Sequence, residues 1–449
     1  RSVLHTSVIN QYKKSSLSFE FYSENDMKNQ SLLQDLDPNQ KQFLSIQQAQ
    51  ATALFYPAAT ETAFNNNEIL YIKKDTLIDN TFFTYYQHST EPDTNQTYRL
   101  SFSSTGKGNY ILDKSTMNGR VFKWIAPINE VPQGTYEPVI VLIPPQKHQI
   151  FSSRFETYLS KNTKANIEWT MSNKDENTFS DFNNKNMTGF AMRASIIHLH
   201  PLTDTGHYLK SGITYEWINP NFKAPERIRD VEFERNWNLQ QSTYNHDEFW
   251  VQSFIELHKY NKINIGLQSE MLKQDRLQLG FRNSVHLKAQ HKNTFISTGS
   301  SLLNSKLNNT QTMFFRNETR IEKRLAQLTP GIHELIEMNE FKTNSALTNG
   351  HQFQQLKIYL RNNDTAQTGV KIFYQNRVDH VPDMYRFSRI SAAHTGGIDI
   401  NHAFNTKHKI NLTTALRKLI QTVDSSTAQT NENKLLLQLN HLIDIKNGL

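Results

Sequence analysis

The sequence predicts an all-β fold: an antiparallel transmembrane β-barrel, whole or incomplete, preceded by a small N-terminal α+β or β module. Three observations predict it. Apolar and polar residues alternate with period two from about residue 147 onward. Several of these runs reach roughly ten residues or more, the span that crosses a bilayer at a tilt, whereas globular strands average about five or six. Finally, only 37% of the 449 residues are hydrophobic. That is lean for a soluble protein with a large core but adequate for a barrel, which needs only one apolar face per strand.

The alternation can be read residue by residue. Ala165, Ile167, Trp169 and Met171 alternate with Asn166, Glu168 and Thr170. Ile263, Ile265 and Leu267 alternate with Asn264, Gly266 and Gln268, and Leu277, Leu279 and Phe281 with Gln278, Gly280 and Arg282. The pattern predicts that the aliphatic set, with Phe281, faces lipid and that Asn264, Gln268, Glu270, Gln278 and Arg282 face a lumen. Near the end, Leu435, Leu437, Leu439, Ile443 and Ile445 keep one face, broken by His441. Tyr260-Asn261 and Gln274-Asp275 read as tight links, and Asn173 to Asn186 and Gln240 to Asp247 as longer polar loops. Trp169, Trp217, Trp237 and Trp250 fit either an interfacial aromatic girdle or ordinary core packing.

The N-terminal part differs. Residues 1–26 read as an opening β-hairpin, 27–146 as the small module or an elaborated loop, and 147–449 as the long-stranded barrel segment. Asp37-Pro38 has the signature of an N-cap followed by proline at the first helical position. Phe43, Ile46, Ala49 and Ala53 follow at helical spacing, with Pro57 as the stop. Strand-like pieces lie at 69–72, 82–86, 98–102, 121–125 and 136–143.

Composition excludes several classes. The absence of cysteine removes disulfide scaffolds, thiolate zinc sites and cysteine nucleophiles. The formal net charge is +7, but the basic residues are scattered singly, so no nucleic-acid partner is expected. No window of about 18 apolar residues offers a transmembrane helix. The chain opens on Arg1 without a signal peptide and closes on Leu449 without the aromatic that usually ends a barrel. The expectation is therefore a fragment, whose first and last strands leave an open seam.

Candidate chemical motifs are few. His198 and His200 share a strand face that could hold a metal, but His207 lies beyond a turn and no carboxylate evidently completes the set, so they read otherwise as polar lumen-side or interfacial residues. Glu232 and Glu234 read as one face of a strand opposite Val231 and Phe233. They are either an acid–base pair or, by preference, a charge ladder with Arg193 or Arg282 on neighbouring strands. Gly106-Lys107-Gly108 reads as a hairpin turn rather than a phosphate loop. Asp75-Thr76-Leu77 and Asp364-Thr365-Ala366 resemble the short O-glycosylation sequon of exported Bacteroidota proteins, a three-residue pattern that also arises often by chance. No catalytic, cofactor-binding or metal residue is assigned, and no cofactor is expected.

Four stretches carry a resemblance: AFNNNEILYIKKDT (63–76), NGRVFKWIAPINEVPQGTYEPVIVLIPPQK (118–147), LSKNTKANIEWTMSNKDENTFSDFNNKN (159–186) and RIRDVEFERNWNL (227–239). They resemble a family of large outer-membrane β-barrel proteins of Bacteroidota with no assigned activity. The resemblance covers residues 1 to 240 well and the remainder by pattern. It implies a Gram-negative outer-membrane address, with outer-membrane lipid and other envelope proteins as partners. The function expected is that of a channel, export component or assembly scaffold, not an enzyme. The alternatives are a secreted or surface β-sandwich array that binds glycan or protein, and a barrel-embedded hydrolase, for which no clustered catalytic set is visible.

Overall fold

The computed structural model is all-β, 74% strand and 3% helix, with antiparallel sheets. It describes every residue except 29–33, 48–53, 79–80, 91–95, 183–186, 205, 240–245, 261, 276–277, 363–366, 406–407, 423–428 and 444–449. The chain divides into two compact units. One comprises Arg1–Thr6, Phe21–Ile150 and Ser172–Thr188; the other comprises Ser7–Glu20, Phe151–Met171 and Gly189–Leu449.

The first unit begins with parts of the hairpin strands β1 (Ser2–Gln11) and β2 (Ser15–Asn25). Helix α1 (Pro38–Ser45) follows, and its start is the one the sequence marks. The Asp37 carboxylate accepts the Gln40 amide at 2.9 Å, and the Gln40 side chain accepts the Asp37 amide at 3.0 Å. This reciprocal box satisfies two orphan donors of the first turn. The helix is shorter than its apolar spacing predicts. It ends at Ser45 with Ile46 as C-cap, Ala49 and Ala53 lie outside the described residues, and Pro57 closes a strand rather than the helix. Leu44 is fully buried with Leu36 and Leu142.

Ten short strands form the rest of the module: β3 (Leu54–Pro57), β4 (Ala59–Thr62), β5 (Leu70–Ile78), β6 (Thr81–Ser89), β7 (Thr97–Leu100), β8 (Ser103–Gly108), β9 (Tyr110–Thr116), β10 (Gly119–Trp124), β11 (Gly134–Glu137) and β12 (Val139–Leu142). They make two four-stranded sheets, β4-β7-β5-β6 and β10-β9-β11-β8, and the pair β12-β3. Pro138 separates β11 from β12, as expected of a residue that cannot donate to a ladder. Two buried tyrosines join the four-stranded sheets. The Phe122 amide donates to the Tyr71 hydroxyl at 2.9 Å, and the Tyr86 amide donates to the Tyr110 hydroxyl at 2.8 Å. Around them Phe102 stacks on Phe122 at 4.3 Å and meets Tyr110 at 5.1 Å.

Gly106-Lys107-Gly108 is not the expected hairpin turn. It lies within β8, where Gly106 has φ +76° and the ladder to β11 shifts register. An added Cβ on Gly108 would meet the Tyr136 carbonyl oxygen at 2.3 Å. The glycines therefore serve a bulge and a close backbone approach.

The second unit holds the long strands, shared at its start with the first: β13 (Lys147–Ser160), β14 (Thr163–Asp175), β15 (Thr188–Pro201) and β16 (His207–Ile218). After the one-turn helix α2 (Phe233–Asn236) come β17 (Glu248–Lys259), β18 (Ile263–Gln274), β19 (Gln278–His291), β20 (Thr294–Leu307), β21 (Thr310–Lys323) and β22 (Leu328–Thr343). The last five are β23 (Ala346–Asn362), β24 (Thr368–Asp383), β25 (Arg386–Ala403), β26 (His408–Thr422) and β27 (Gln429–Ile443). With β1 and β2 these fifteen strands form one 17-stranded sheet. From β15 to β27 each strand pairs antiparallel with its sequence neighbours. Among the described residues no ladder joins β27 to β1. Tight links use left-handed residues: Lys292 (φ 48°), Asn308 (φ 51°), and Asn344 with Ser345 (φ 51° and 67°). Two such residues in a two-residue loop are what a type I′ hairpin needs.

Burial holds the Glu137 carboxyl above the usual carboxylate range, against the opposing effect of the Asn109 amide that it accepts. A folded value above the unfolded one contributes stability that is complete at acid pH and is lost as pH rises through the folded value. Glu137→Gln should therefore leave the module more stable than wild type at about pH 8, with the difference vanishing toward about pH 4. Hydrogen-exchange protection of the β9 and β10 amides across that range measures it. A difference that stays constant with pH would contradict the assignment.

Candidate functional site: the polar face of the long sheet

Burial on the long strands runs opposite to that of a soluble sheet. On β18 and β19, Leu267 is 52% exposed and Phe281 47%, while Glu270 is 4% exposed and Gln278 3%. Of the other expected outward residues, Ile265 and Leu279 are exposed as well, Ile263 is half-buried, and Leu277 lies outside the described residues. The trend continues along the sheet: Ile213, Ile255, Val285, Ile332, Ile358 and Ile372 are exposed, while Ser305, Thr312, Glu322 and Glu337 are buried. Several of the polar positions that occur on the apolar face hydrogen-bond across strands. Ser269 donates to Asn283 at 2.8 Å, Asn317 to Ser300 at 2.7 Å, and Gln354 to Glu334 at 3.1 Å. On the same face Phe19, Phe151, Trp169 and Phe190 form a row of rings across four strands, with centroid spacings of 6.2, 6.3 and 5.8 Å.

The polar face is buried because chain folds onto it. The longest connection of this unit, 219–247, carries α2, and residues 227–239 lie against β18–β22. Trp237 is almost fully buried with Leu272, Leu303 and Phe314, and Trp250 packs against the cluster. Gly280 makes room, since a Cβ there would come within 3.3 Å of the indole. Asn238, in a left-handed conformation, donates to Thr312 at 3.0 Å and exchanges amide hydrogen bonds with Asn339 at 2.8 Å each way. Gln278 donates to the Trp237 carbonyl at 2.8 Å.

Charges tie the segment down. Glu337, 3% exposed, accepts Arg235 at 2.5 Å, Arg316 at 3.1 Å and His351 at 2.7 Å. Arg282 forks onto Glu270 at 2.6 and 2.9 Å while its guanidinium lies 4.6 Å from the Trp237 ring centre. Nearer the start of the segment, Arg229 pairs with both Glu216 and Glu248 and lies 4.7 Å over Phe233.

This corrects two expectations and completes a third. Glu232 and Glu234 are not alternate positions of a strand: α2 begins at Phe233, and Glu232 pairs with Arg235 three residues on, at 3.1 Å. Nor do they form the expected ladder: Arg282 meets Glu270, and Arg193 stands opposite Glu216, whose partner is Arg229. Trp237 and Trp250 belong to a core, whereas Trp169 belongs to the exposed aromatic row. Sequence alternation missed that core because Leu272, Leu303 and Phe314 occupy positions of the polar parity. The signal available was their departure from period two.

His198 and His200 lie on β15 with ring centres 6.2 Å apart, and the Thr163 hydroxyl is 2.9 Å from His198 Nδ1. His207 packs edge-on against Tyr260. Among the described residues no group of three or more His, Asp or Glu side chains is arranged to hold a metal. Asp75-Thr76-Leu77 lies in β5, where Thr84 donates to Asp75 at 2.7 Å; Asp364-Thr365-Ala366 lies outside the described residues.

Removing one partner from a buried ion pair leaves an uncompensated charge and costs about 3–5 kcal/mol. Arg282→Met should thus lower stability by about that amount, and Glu270→Gln added to it should restore much of the loss. Equilibrium unfolding in urea reads both; independent, additive effects would refute the coupling. Asn238→Ala removes the hydrogen bonds that seat the segment. It should expose 227–239 to limited proteolysis while β18–β22 keep their hydrogen-exchange protection, and simultaneous loss of both would show that the segment is not a separate layer.

No protein-family model matches this chain, and no curated protein matches it.

Proposed function

We propose that the long-stranded sheet is the wall of a β-barrel in the outer membrane of a Gram-negative bacterium, with outer-membrane lipid against its apolar face. On this reading the protein acts as a channel, export component or assembly scaffold alongside other envelope proteins, and it performs no reaction of its own. The observation that carries the reading is the inverted burial: aliphatic side chains exposed on one face, glutamates, arginines and amides covered on the other. Soluble monomers rarely expose apolar patches beyond a few hundred Å², yet here the exposed aliphatic face runs from strand to strand across the sheet. Strand length agrees, since β17 to β27 run 12 to 18 residues and about 9–11 suffice to cross at a tilt. The aromatic row suits the interfacial girdle of such barrels, and the resemblance to Bacteroidota outer-membrane proteins points the same way. No helix among the described residues is long and apolar enough to cross a membrane, which says nothing about crossing by strands.

In this reading residues 227–239 narrow the interior, so passage of a polar solute depends on the Trp237–Asn238 layer. The alternative, a secreted or surface β-sandwich array binding glycan or protein, draws support from one observation: the two small sheets of the first unit share an aromatic core.

The cysteine-free sequence makes the test clean. Cysteines placed singly at Leu267, Phe281 and Ile358 should resist a charged maleimide and react with a lipid-soluble one in membranes. Cysteines at Gln268 and Gln375 should show the reverse preference. The chain should fractionate with outer membranes and migrate differently on gels before and after boiling. A lysine at Leu267 should cost roughly 2–4 kcal/mol if that position lies near mid-bilayer. Uniform labelling of all five cysteines by the charged reagent, with the chain in the soluble fraction, would reject the membrane reading.

A further inference from the structure

On the polar face of β23–β27, away from the Trp237 layer, lies a cavity of about 620 Å³. We propose that it binds a small hydroxyl-rich molecule carrying a carboxylate or phosphate group, of the class of uronic acids and sugar phosphates. This goes beyond the barrel reading and does not require the sheet to be in a membrane.

The charge of the lining carries the argument. Lys357, Arg377 and Arg417 all border the cavity. On β19–β23 of this face four cations are matched by buried carboxylates: Arg282 by Glu270, Arg316 by Glu337, Arg320 and Arg361 by Glu322. Here the matching stops. Arg377 has Asp379 at 2.8 Å, and the nearby Asp399 is paired with Lys371 at 3.6 Å. Among the described residues Lys357 and Arg417 enter no ion pair. Lys357 is held by a ring instead, its Nζ 3.8 Å from the Phe373 ring centre, while Arg377 lies 4.1 Å from that of Phe353 in addition to its carboxylate. A ring face fixes a cation without neutralising it, and so leaves it available to an incoming anion.

The rest of the lining selects the class of molecule. Thr395 and Thr413 bring hydroxyls, and Gln375 brings an amide that both donates and accepts. Such groups match sugar hydroxyls, and Phe373 with Ala393, Ala415 and Leu436 offers an apolar surface for the flat face of a sugar ring. The volume falls within the roughly 300–1,000 Å³ of small-molecule sites. A lipid headgroup, the other source of phosphate, belongs with the opposite face, where Leu356, Ile358 and Ile372 are exposed.

The test is equilibrium binding to the full folded chain of three probes: glucose 6-phosphate, glucuronate and glucose. Both acidic sugars should bind saturably, glucose should not, and inorganic phosphate should compete. Lys357→Gln with Arg417→Gln should weaken acidic-sugar binding about tenfold or more. Lys73→Gln with Lys74→Gln, which removes the same charge from β5, should leave it unchanged. Should the double variant fail to fold by circular dichroism, Arg417→Gln alone, at an exposed position, must still weaken binding. Equal binding of glucose, equal loss in both double variants, absence of binding to either acidic sugar, or unaltered binding by the cavity variants would overturn the proposal. Because the readout is binding by the isolated chain, failure of the membrane reading would leave it standing, and the reverse also holds.

Discussion

Register is the constraint on which the long sheet depends. Side chains alternate with period two, so a slip of one residue in any ladder would turn its whole polar set to the apolar side. The ladders from β17 to β21 run without a shift. The two interruptions farther on, at Phe341/Lys342 and Asp379/His380, lie beside hairpin turns, where they leave the parity of the strand interiors intact. Ion pairs reinforce the register that alternation sets. Glu270 stands directly opposite Arg282, and Arg316 opposite Glu337. A slipped strand would separate each pair and leave charges buried alone, which costs far more than a surface pair gains when it forms.

The segment 227–239 shows how a polar face can be buried without penalty. Its own aromatic side chains find the few apolar residues of the face, and its backbone and amides find the polar ones. The Asn238–Asn339 exchange is fully reciprocal, and Glu337 accepts from Arg235, Arg316 and His351 at once. A buried network is stabilising only when nearly every member is satisfied, because the low local dielectric that strengthens each bond also magnifies an unmet one. The opening left by Gly280 is the steric counterpart of that network: it sets the depth at which the indole sits, and with it the position of Asn238.

Much of the architecture was legible in the sequence because period two is a local signal. The facing of Leu267, Phe281, Glu270 and Gln278 follows from alternation alone, and the α1 start follows from Asp37-Pro38 and Gln40. The site was less legible, for physical reasons. RDVEFERNWN alternates like a strand, yet it has no neighbour with which to form a ladder, and the pairing of Arg229 and Arg235 with distant glutamates favours a turn instead. The Trp237 core was hidden because its members come from four separate segments and break the alternation in each by a single residue. Gly106 and Gly108 carry a turn-like composition, but whether glycine serves a hairpin or a bulge is decided by the partner strand, which local sequence does not specify.

The polar positions on the apolar face bear on the medium that face meets. Serine, asparagine, glutamine and glutamate exposed to water need no partner, because water supplies one at little cost in ordering. In hydrocarbon each unmet donor costs several kcal/mol. Ser269 with Asn283, Asn317 with Ser300, Thr298 with Thr319 and Gln354 with Glu334 are each matched by a cross-strand neighbour. Pairing of this kind keeps polar atoms tolerable against lipid, and it brings together residues from strands whose register the opposite face has already fixed. The two faces therefore impose the same requirement by different means. One joins its polar groups through a folded-in segment and buried ion pairs, the other through neighbour pairs within the sheet. At the cavity over Phe373 that rule lapses, since Lys357 meets a ring and, among the described residues, neither it nor Arg417 pairs with a carboxylate. A cation that the sheet leaves without a carboxylate has most to gain from an external anion.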